Sequence, residues 1–435
     1  MLRIIPNFRK ACVRAFALGL CTLAAAQKVT TVYSFDVTHG QFPYLVTLTQ
    51  GRDGWLYGTT TDGGTNLGTG TIFKQRTAHN RNVVLYDGLG SAVGVTLASD
   101  GNYYGTTQYG GTLGLGVLYK VTSAGVMTVL HDFMGGSDGA YPLGPPIQAS
   151  DGDLYGVAGG GAGIQIPTVY KATPAGGFST LYSFGDVNDT LYFLLQGADG
   201  DLYVTLGGVG SIAKISLTGV LRFRRNFDGK FGIYPNELMQ ASDGNFYGTN
   251  FRGGACDRGT IYRMSPRGVF TLLYSFVAAD GYYPSTGLTQ ASDGNLYGST
   301  EDGGDGGSGS LYKFTLDGVY THIHSFPQTI PRPSPTGSLT QSTNGRLYGT
   351  TYSGGAFGLG SVFSLDMGLG PFVALQRYQG KPGSTTGILG QGFTGTIGVT
   401  FNGVPATSFT VLEDTYMTAV VPSGAGTGPG SWSPL

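Results

Sequence analysis

The sequence predicts an all-β fold in which one four-stranded unit recurs seven times and a smaller β-unit follows. Three observations carry this. A short turn phrase returns at Asp53-Gly54, Asp100-Gly101, Asp151-Gly152, Asp199-Gly200, Asp243-Gly244, Asp293-Gly294 and Asn344-Gly345, in steps of 47, 51, 48, 44, 50 and 51 residues. A period of that length marks a tandem array of one supersecondary unit. The same order of short alternating segments surrounds each turn. Glycine supplies 77 of 435 residues and aromatics 12%, whereas charged residues reach only 12%, about half the usual share.

Residues 284–326 show the unit. Pro284 opens it, residues 286–291 (TGLTQA) alternate as a first strand, and Ser292-Asp293-Gly294-Asn295 makes a tight hairpin. Asp and Gly tolerate the positive φ that such turns require. Residues 296–300 form the second strand, 301–308 a loop, 309–314 the third strand and 320–326 the fourth, after an Asp317-Gly318 turn. Third-strand copies read GTIFK, GVLYK, TVYK, IAKI, GTIYR and SVFS; fourth-strand copies read VVLYD, TVLHDF, TLYSF, LRFRRNF and TLLYSF. Repeat four is the most degenerate, with Val204-Thr205-Leu206 in place of Gly-Thr-Thr.

Four antiparallel strands per repeat, seven times, is the arithmetic of a seven-bladed β-propeller. The ends of the array argue against a straight solenoid. An orphan fourth-strand copy, residues 29–35 (VTTVYSF), precedes repeat one, and repeat seven lacks its own after residues 361–365. The orphan is expected to complete the last blade, which closes a ring and removes open sheet edges.

Residues 1–26 are expected to be a signal peptide that takes no part in the fold. Arg3, Arg9, Lys10 and Arg14 give a basic start, residues 15–26 an apolar run, and Ala24-Ala25-Ala26 an A-x-A cleavage pattern. Cleavage would remove Cys12 and Cys21, so Cys256 alone remains and no intrachain disulfide forms. The net charge of −1 gives no broad basic surface for nucleic acid, and no later segment is long and apolar enough for a membrane helix. A monomer that stays out of the membrane after cleavage is expected.

The linked motifs YSF, D-G-x-x-P, S-D-G-N-L-Y-G-T-T, G-G and G-T-I-Y-K over residues 29–370 resemble the GloVer-type tandem-repeat proteins exported by environmental bacteria, a choice-of-anchor family. Residues 388–393, 399–406 and 416–422 resemble an IPT/TIG immunoglobulin-like domain, and their alternating apolar positions between Gly, Asn and Pro turns suit a β-sandwich. The expected organisation is therefore a signal peptide at 1–26, a propeller at 27–370 closed by strand 29–35, and an IPT/TIG-like sandwich at 371–435. That last segment ends at Trp432-Ser433-Pro434-Leu435 without the final apolar strand such domains carry, so it is read as incomplete. The resemblance implies a secreted, cell-surface or periplasmic location, with no anchor visible in the chain.

Chemistry-bearing motifs are scarce. No Walker loop or Cys/His metal cluster occurs, and no catalytic residues or cofactor are expected. His322 and His324 alternate along one strand, which reads as packing. Glu301, Asp302 and Asp305 form a weak calcium candidate without a bidentate acid at a recognisable spacing.

Topology nevertheless singles out a face. The Gly-Gly loops between second and third strands lie on the same side as the connections between repeats, and both vary from copy to copy. The loops bring Asp62, Tyr109, Arg252, Asp257, Arg258, Glu301, Asp302 and Tyr352 to that side. The connections add Tyr141, Tyr282 and Tyr283, with Tyr283 read as a solvent-exposed anchor. Tyrosines beside carboxylates suit a polysaccharide or a protein surface. The first functional reading is thus an exported, non-catalytic binding or adhesion module. A carbohydrate-active hydrolase or lyase is the alternative, disfavoured by inner strands poor in acids; a structural envelope protein is the third.

Overall fold

A computed structural model describes residues 2–6, 27–65, 68–77, 81–88, 90–159, 166–185, 190–207, 210–227, 230–376 and 382–425. The fold is all-β: among the described residues it holds, beyond strands, two 3-10 turns, Gly136–Asp138 and Ala278–Asp280. Among the described residues, the repeats form seven antiparallel sheets, six of four strands and one of five. Repeat six runs Thr289–Gln290, Leu296–Thr300, Ser310–Phe314 and Tyr320–Ser325, in spatial as in chain order. Lys28–Ser34 is the outer strand of the repeat-seven sheet, antiparallel to Ser361–Asp366, with Val29 opposite Leu365 and Ser34 opposite Ser361.

Most first strands are shorter than the sequence suggests: two residues at Thr289–Gln290 rather than six. The cause is competition between repeats. First strands crowd together at the centre, so backbone and side chains there bond to the neighbouring sheet instead of continuing their own ladder. Gly287 N donates to Ser338 Oγ at 2.9 Å, Thr49 Oγ1 to Val95 O at 2.6 Å, and Thr340 Oγ1 to Leu48 O at 2.6 Å.

The turns explain why Asp-Gly recurs. Gly294 adopts φ +81°, which L side chains resist. Asp293 Oδ1 accepts the Asn295 N–H at 3.1 Å, the local cap expected of an aspartate in a turn. The other oxygen has a further partner. Tyr57, Tyr104, Tyr155, Tyr203, Tyr247 and Tyr297, all buried, each donate a hydroxyl to the aspartate four residues earlier at 2.7–2.9 Å. In repeat seven the polarity reverses, and Asn344 donates to the Tyr348 hydroxyl at 2.9 Å.

Glutamines at the ends of first strands lock neighbouring repeats together. The carbonyl of Gln148, Gln196, Gln240, Gln290 or Gln341 accepts a backbone N–H from the preceding repeat's turn at 2.7–2.8 Å. Gln50 does the same to Thr343 at 2.7 Å, joining the first repeat to the seventh. Hydrophobic clusters follow the same circuit. Tyr155 and Val169 of repeat three pack with Leu202 and Val204 of repeat four. Phe35, Tyr348 and Val362 of the repeat-seven sheet pack with Leu48, Leu56 and Phe73 of repeat one.

In six of the repeat sheets, a glycine of the second strand faces an aromatic of the third. Gly58, Gly105, Gly156, Gly248, Gly298 and Gly349 lie directly opposite Phe73, Tyr119, Tyr170, Tyr262, Tyr312 and Phe363. A Cβ at Gly58 would stand 2.7 Å from Phe73 Cζ, too close for an unperturbed core. Repeat four inverts the pair: Val204 faces Ala213. Its departure from the consensus is a compensated exchange of large for small.

After the repeats, Ala374–Leu375, Thr385–Leu389, Tyr416–Val420 and Phe409–Glu413 form one sheet. Thr396–Phe401 and Val404–Pro405 belong to another, and Ile388, Val399 and Met417 share a core between them. Five residues of the predicted leader pair with this second sheet. Leu2–Pro6 is a strand antiparallel to Thr396–Phe401, with Leu2 opposite Phe401. An edge strand presents unpaired N–H and C=O groups, and these residues satisfy them. The rest of the predicted leader, residues 7–26, lies outside the described residues. Cys256 is exposed in its loop. Reductant is therefore expected to leave the melting temperature of the chain from Gln27 onward unchanged, as a thermal scan with and without dithiothreitol would check; a downward shift of several degrees would reveal an intermolecular disulfide.

Candidate functional site

First strands begin on one face of the array and end, at the glutamines and Asp-Gly turns, on the other. The C-terminal sheets sit against the turn face. Thr415 Oγ1 donates to Arg52 O at 2.7 Å, the Arg52 guanidinium lies 4.4 Å from the Tyr416 ring centre, and Gln391 Nε2 donates to Thr343 Oγ1 at 2.8 Å. Among the described residues, the loop face carries none of these contacts.

On the loop face, aromatics pair across the junctions between repeats. Tyr352 of repeat seven stacks on Phe42 at 5.1 Å, Tyr109 meets Tyr141 edge-on at 5.8 Å, and Phe251 stacks on Tyr283 at 4.9 Å. The partner leading into the next repeat always precedes a proline and has left-handed backbone: φ is +57° at Phe42, +51° at Tyr141 and +58° at Tyr283, with +57° also at Tyr234. Such a conformation costs on the order of 1–3 kcal/mol and persists only where surroundings enforce it. The enforcement is visible, since Phe42 N bonds to Leu359 O at 2.9 Å, Tyr141 N to Leu115 O at 2.8 Å and Tyr283 N to Arg258 O at 2.9 Å.

The predicted site residues fall into small groups. Arg252 lies 5.2 Å from the Tyr283 ring centre and 3.5 Å from Asp257. Asp257 also accepts the Gly253 N–H at 2.9 Å, so it closes its own loop. Arg258 covers the Tyr282 ring at 4.5 Å. Asp62 contributes backbone, pairing with Gln41. Asp302 is held by Arg332 at 3.1 Å, a partner remote in sequence. Burial and the adjacent Asp302 raise the Glu301 carboxyl, opposed by Arg332.

One expectation is corrected. Tyr283 is half-buried rather than solvent-exposed, because Phe251 and Arg252 cover its ring. Glu301, Asp302 and Asp305 do not converge: among the described residues no three acidic, histidine or cysteine side chains gather to hold a metal. The freely presented rings are instead Tyr44, Tyr109, Tyr234 and Tyr352, at 46, 50, 41 and 37% exposure. Tyr44 and Tyr234 went unread in the sequence, although the recurring aromatic-proline step at the start of each repeat (FPY, AYP, IYP, YYP) marks their segment.

Several of these rings lie close to one another. Burial raises the Tyr44 hydroxyl, and nearby Glu301 and Tyr352 raise it further; burial likewise raises Tyr192, which also feels Tyr234 and Tyr44. A cavity of about 120 Å³ is lined by Thr47, Thr96, Ile147, Tyr192, Phe193 and Glu237, among others. Glu237 Oε2 accepts a hydrogen bond from Ser338 Oγ at 2.9 Å. Burial pushes this carboxyl above its ordinary value, and the Ser338 bond pulls it partly back.

The chain matches the Gloeobacter/Verrucomicrobia repeat over residues 20–208 and 190–412. No curated protein matches it. Among solved structures it is similar to a streptogramin B lyase, at 16% identity and a TM-score of 0.60, covering 79% of this chain and 98% of the other. A catalytically inactive virginiamycin B lyase from Staphylococcus aureus with quinupristin aligns at 14% identity and 0.58, covering 78% and 99%. An oligogalacturonate lyase in complex with manganese aligns at 15% and 0.53, covering 79% and 94%. At these identities the likeness is one of propeller-like fold alone.

Proposed function

This chain belongs to the Gloeobacter/Verrucomicrobia repeat family, and we propose that it is an exported, non-catalytic module that binds a polysaccharide or protein surface through its loop face. In this reading the seven repeat sheets are the blades of a closed β-propeller, the leader at 1–26 directs export, and the C-terminal sheets are an IPT/TIG-like immunoglobulin domain. One observation carries the proposal: four exposed tyrosines share the loop face, while the C-terminal sheets occupy the turn face. Tyrosine offers large, rigid contact area with a hydroxyl at its tip, and the unlike loops of seven repeats give a partner one distinct arrangement to recognise.

The test is a glycan array followed by titration of the purified chain. Tyr44→Ala is expected to weaken binding by more than ~1 kcal/mol if the ring is an anchor. Its melting temperature should stay close to the parent's, because the ring is nearly half exposed. Unchanged affinity in Tyr44→Ala and Tyr352→Ala together would sink this reading.

The alternative of a carbohydrate-active hydrolase or lyase is favoured by one observation, the Glu237 carboxyl raised by burial in the cavity wall. Such chemistry usually needs a second carboxylate facing it, and none lines this cavity among the described residues. Turnover of a polysaccharide that is lost in Glu237→Gln would establish the alternative.

A further inference from the structure

We infer that the cavity lined by Glu237 holds a small organic cation of the alkylammonium class, clasped between the Glu237 carboxylate and the aromatic side chains of Tyr192 and Phe193. The inference is independent of what the loop face binds.

It begins with a residue the fold does not need. Aligned on their glutamines, the repeats place Thr47, Pro145, Phe193, Gly287 and Ser338 where repeat five has Glu237. Those copies build the same inner position without a charge. Desolvating a carboxylate is costly unless it is neutralised or paired. Ser338 supplies one hydrogen bond to Oε2, but a hydroxyl brings no positive charge. Among the described residues, no lysine, arginine or histidine lines the cavity. Without a positive partner, burial favours the neutral acid, and a cation entering the cavity would stabilise the carboxylate form.

The Glu237 stem is closely packed on the side away from the cavity lining. Gly287, in the next repeat, packs against Glu237; a Cβ there would stand 2.7 Å from Glu237 Cβ and 3.2 Å from Ser338 Oγ. The remaining wall combines apolar surface (Val95, Pro145, Ile147) with two threonines and the two aromatic residues. This composition decides among ligands. An anion would be repelled. A calcium ion takes six to eight oxygen ligands, and this wall offers a single carboxylate. An alkylammonium suits both parts of the wall, since its charge is served by the carboxylate and by aromatic rings, and its methyl or methylene groups by the apolar surface. A cavity of about 120 Å³ fits a group of this size rather than a polymer. Tyr192, on the cavity wall, lies near Tyr44 and Tyr234, and Glu301 near Tyr44 adds acidic character to the surroundings.

The experiment is calorimetric titration of the full chain with tetramethylammonium chloride and, separately, methylammonium chloride, with sodium chloride and sodium acetate as controls at equal ionic strength. Saturable binding of an ammonium ion is expected, with none of acetate. Glu237→Gln keeps the shape of the side chain and should weaken ammonium binding at least tenfold while the protein unfolds at a similar temperature. Phe193→Lys places a tethered ammonium on the sheet next to the carboxylate and should abolish binding by competition, which keeps the idea testable should Glu237→Gln fail to fold. Absence of saturable ammonium binding, equal binding of acetate, or unchanged affinity in a folded variant would overturn the inference. A failed glycan screen would leave it untouched, because the titrated probe never engages the loop face.

Discussion

Removing residues 27–35 is expected to make the chain aggregate. Lys28–Ser34 completes the ladder on Ser361–Asp366, so its loss bares a row of N–H and C=O groups on a strand whose side chains are mostly buried. An edge of this kind templates pairing with other chains. The deletion also removes Phe35, which is 0% exposed and packs with Leu48, Leu56, Phe73, Tyr348 and Val362 at the seam between the last sheet and the first. Phe35→Ala alone should cost about 3–5 kcal/mol, the usual loss for a fully buried phenylalanine. Size-exclusion chromatography and thermal unfolding distinguish the outcomes. A deletion variant that stays monomeric and melts with the parent would mean that the strand adds nothing to closure.

The seam also shows what could be read before any coordinates. Residues 29–35 announce their place because YSF belongs to a fourth-strand pattern and stands where no first three strands precede it. The Asp-Gly turns are equally legible, since positive φ restricts the residues that fit. Contacts between repeats are another matter. Nothing in Gln50 alone says that its carbonyl reaches Thr343, 293 residues away. That bond depends on the curvature of the whole array, and curvature is not encoded in local alternation. The site suffered for the same reason. Strand alternation reveals which residues share a face, but not which rings cover one another, so Tyr283 was read as exposed although Phe251 shields it. Glu237 was missed because it occupies a position that is uncharged in the other copies, where only the convergence of first strands gives one side chain a role. Aligning the repeats with each other, position by position, would have made it stand out.

The same internal alignment supplies the second large prediction. Gly156→Val should be among the most damaging single changes in the molecule, while its combination with Tyr170→Ala should be far milder than the two effects added. Gly156 lies directly opposite Tyr170, and a Cβ there would fall inside the contact distance of the phenol ring. The ring is fully buried among Tyr104, Phe133 and Leu154 and has little room to retreat. Overpacking of this kind typically costs 1–3 kcal/mol or more, and two extra methyl groups place valine at the upper end. Tyr170→Ala by itself opens a cavity that should cost about 3–5 kcal/mol, by analogy with other large aromatic truncations. Repeat four indicates what happens when both change together. Val204 and Ala213 occupy the equivalent facing positions, both 0% exposed, within an intact ladder. In the double variant the valine therefore fills part of the space the tyrosine vacates, and each change relieves the fault of the other. Denaturant unfolding of the two single variants and the double variant gives a coupling energy, expected at about 2 kcal/mol or more, near the top of the range for residues in contact. Strict additivity would show that Val204 and Ala213 are tolerated for reasons peculiar to repeat four, not because the volumes of the facing pair compensate.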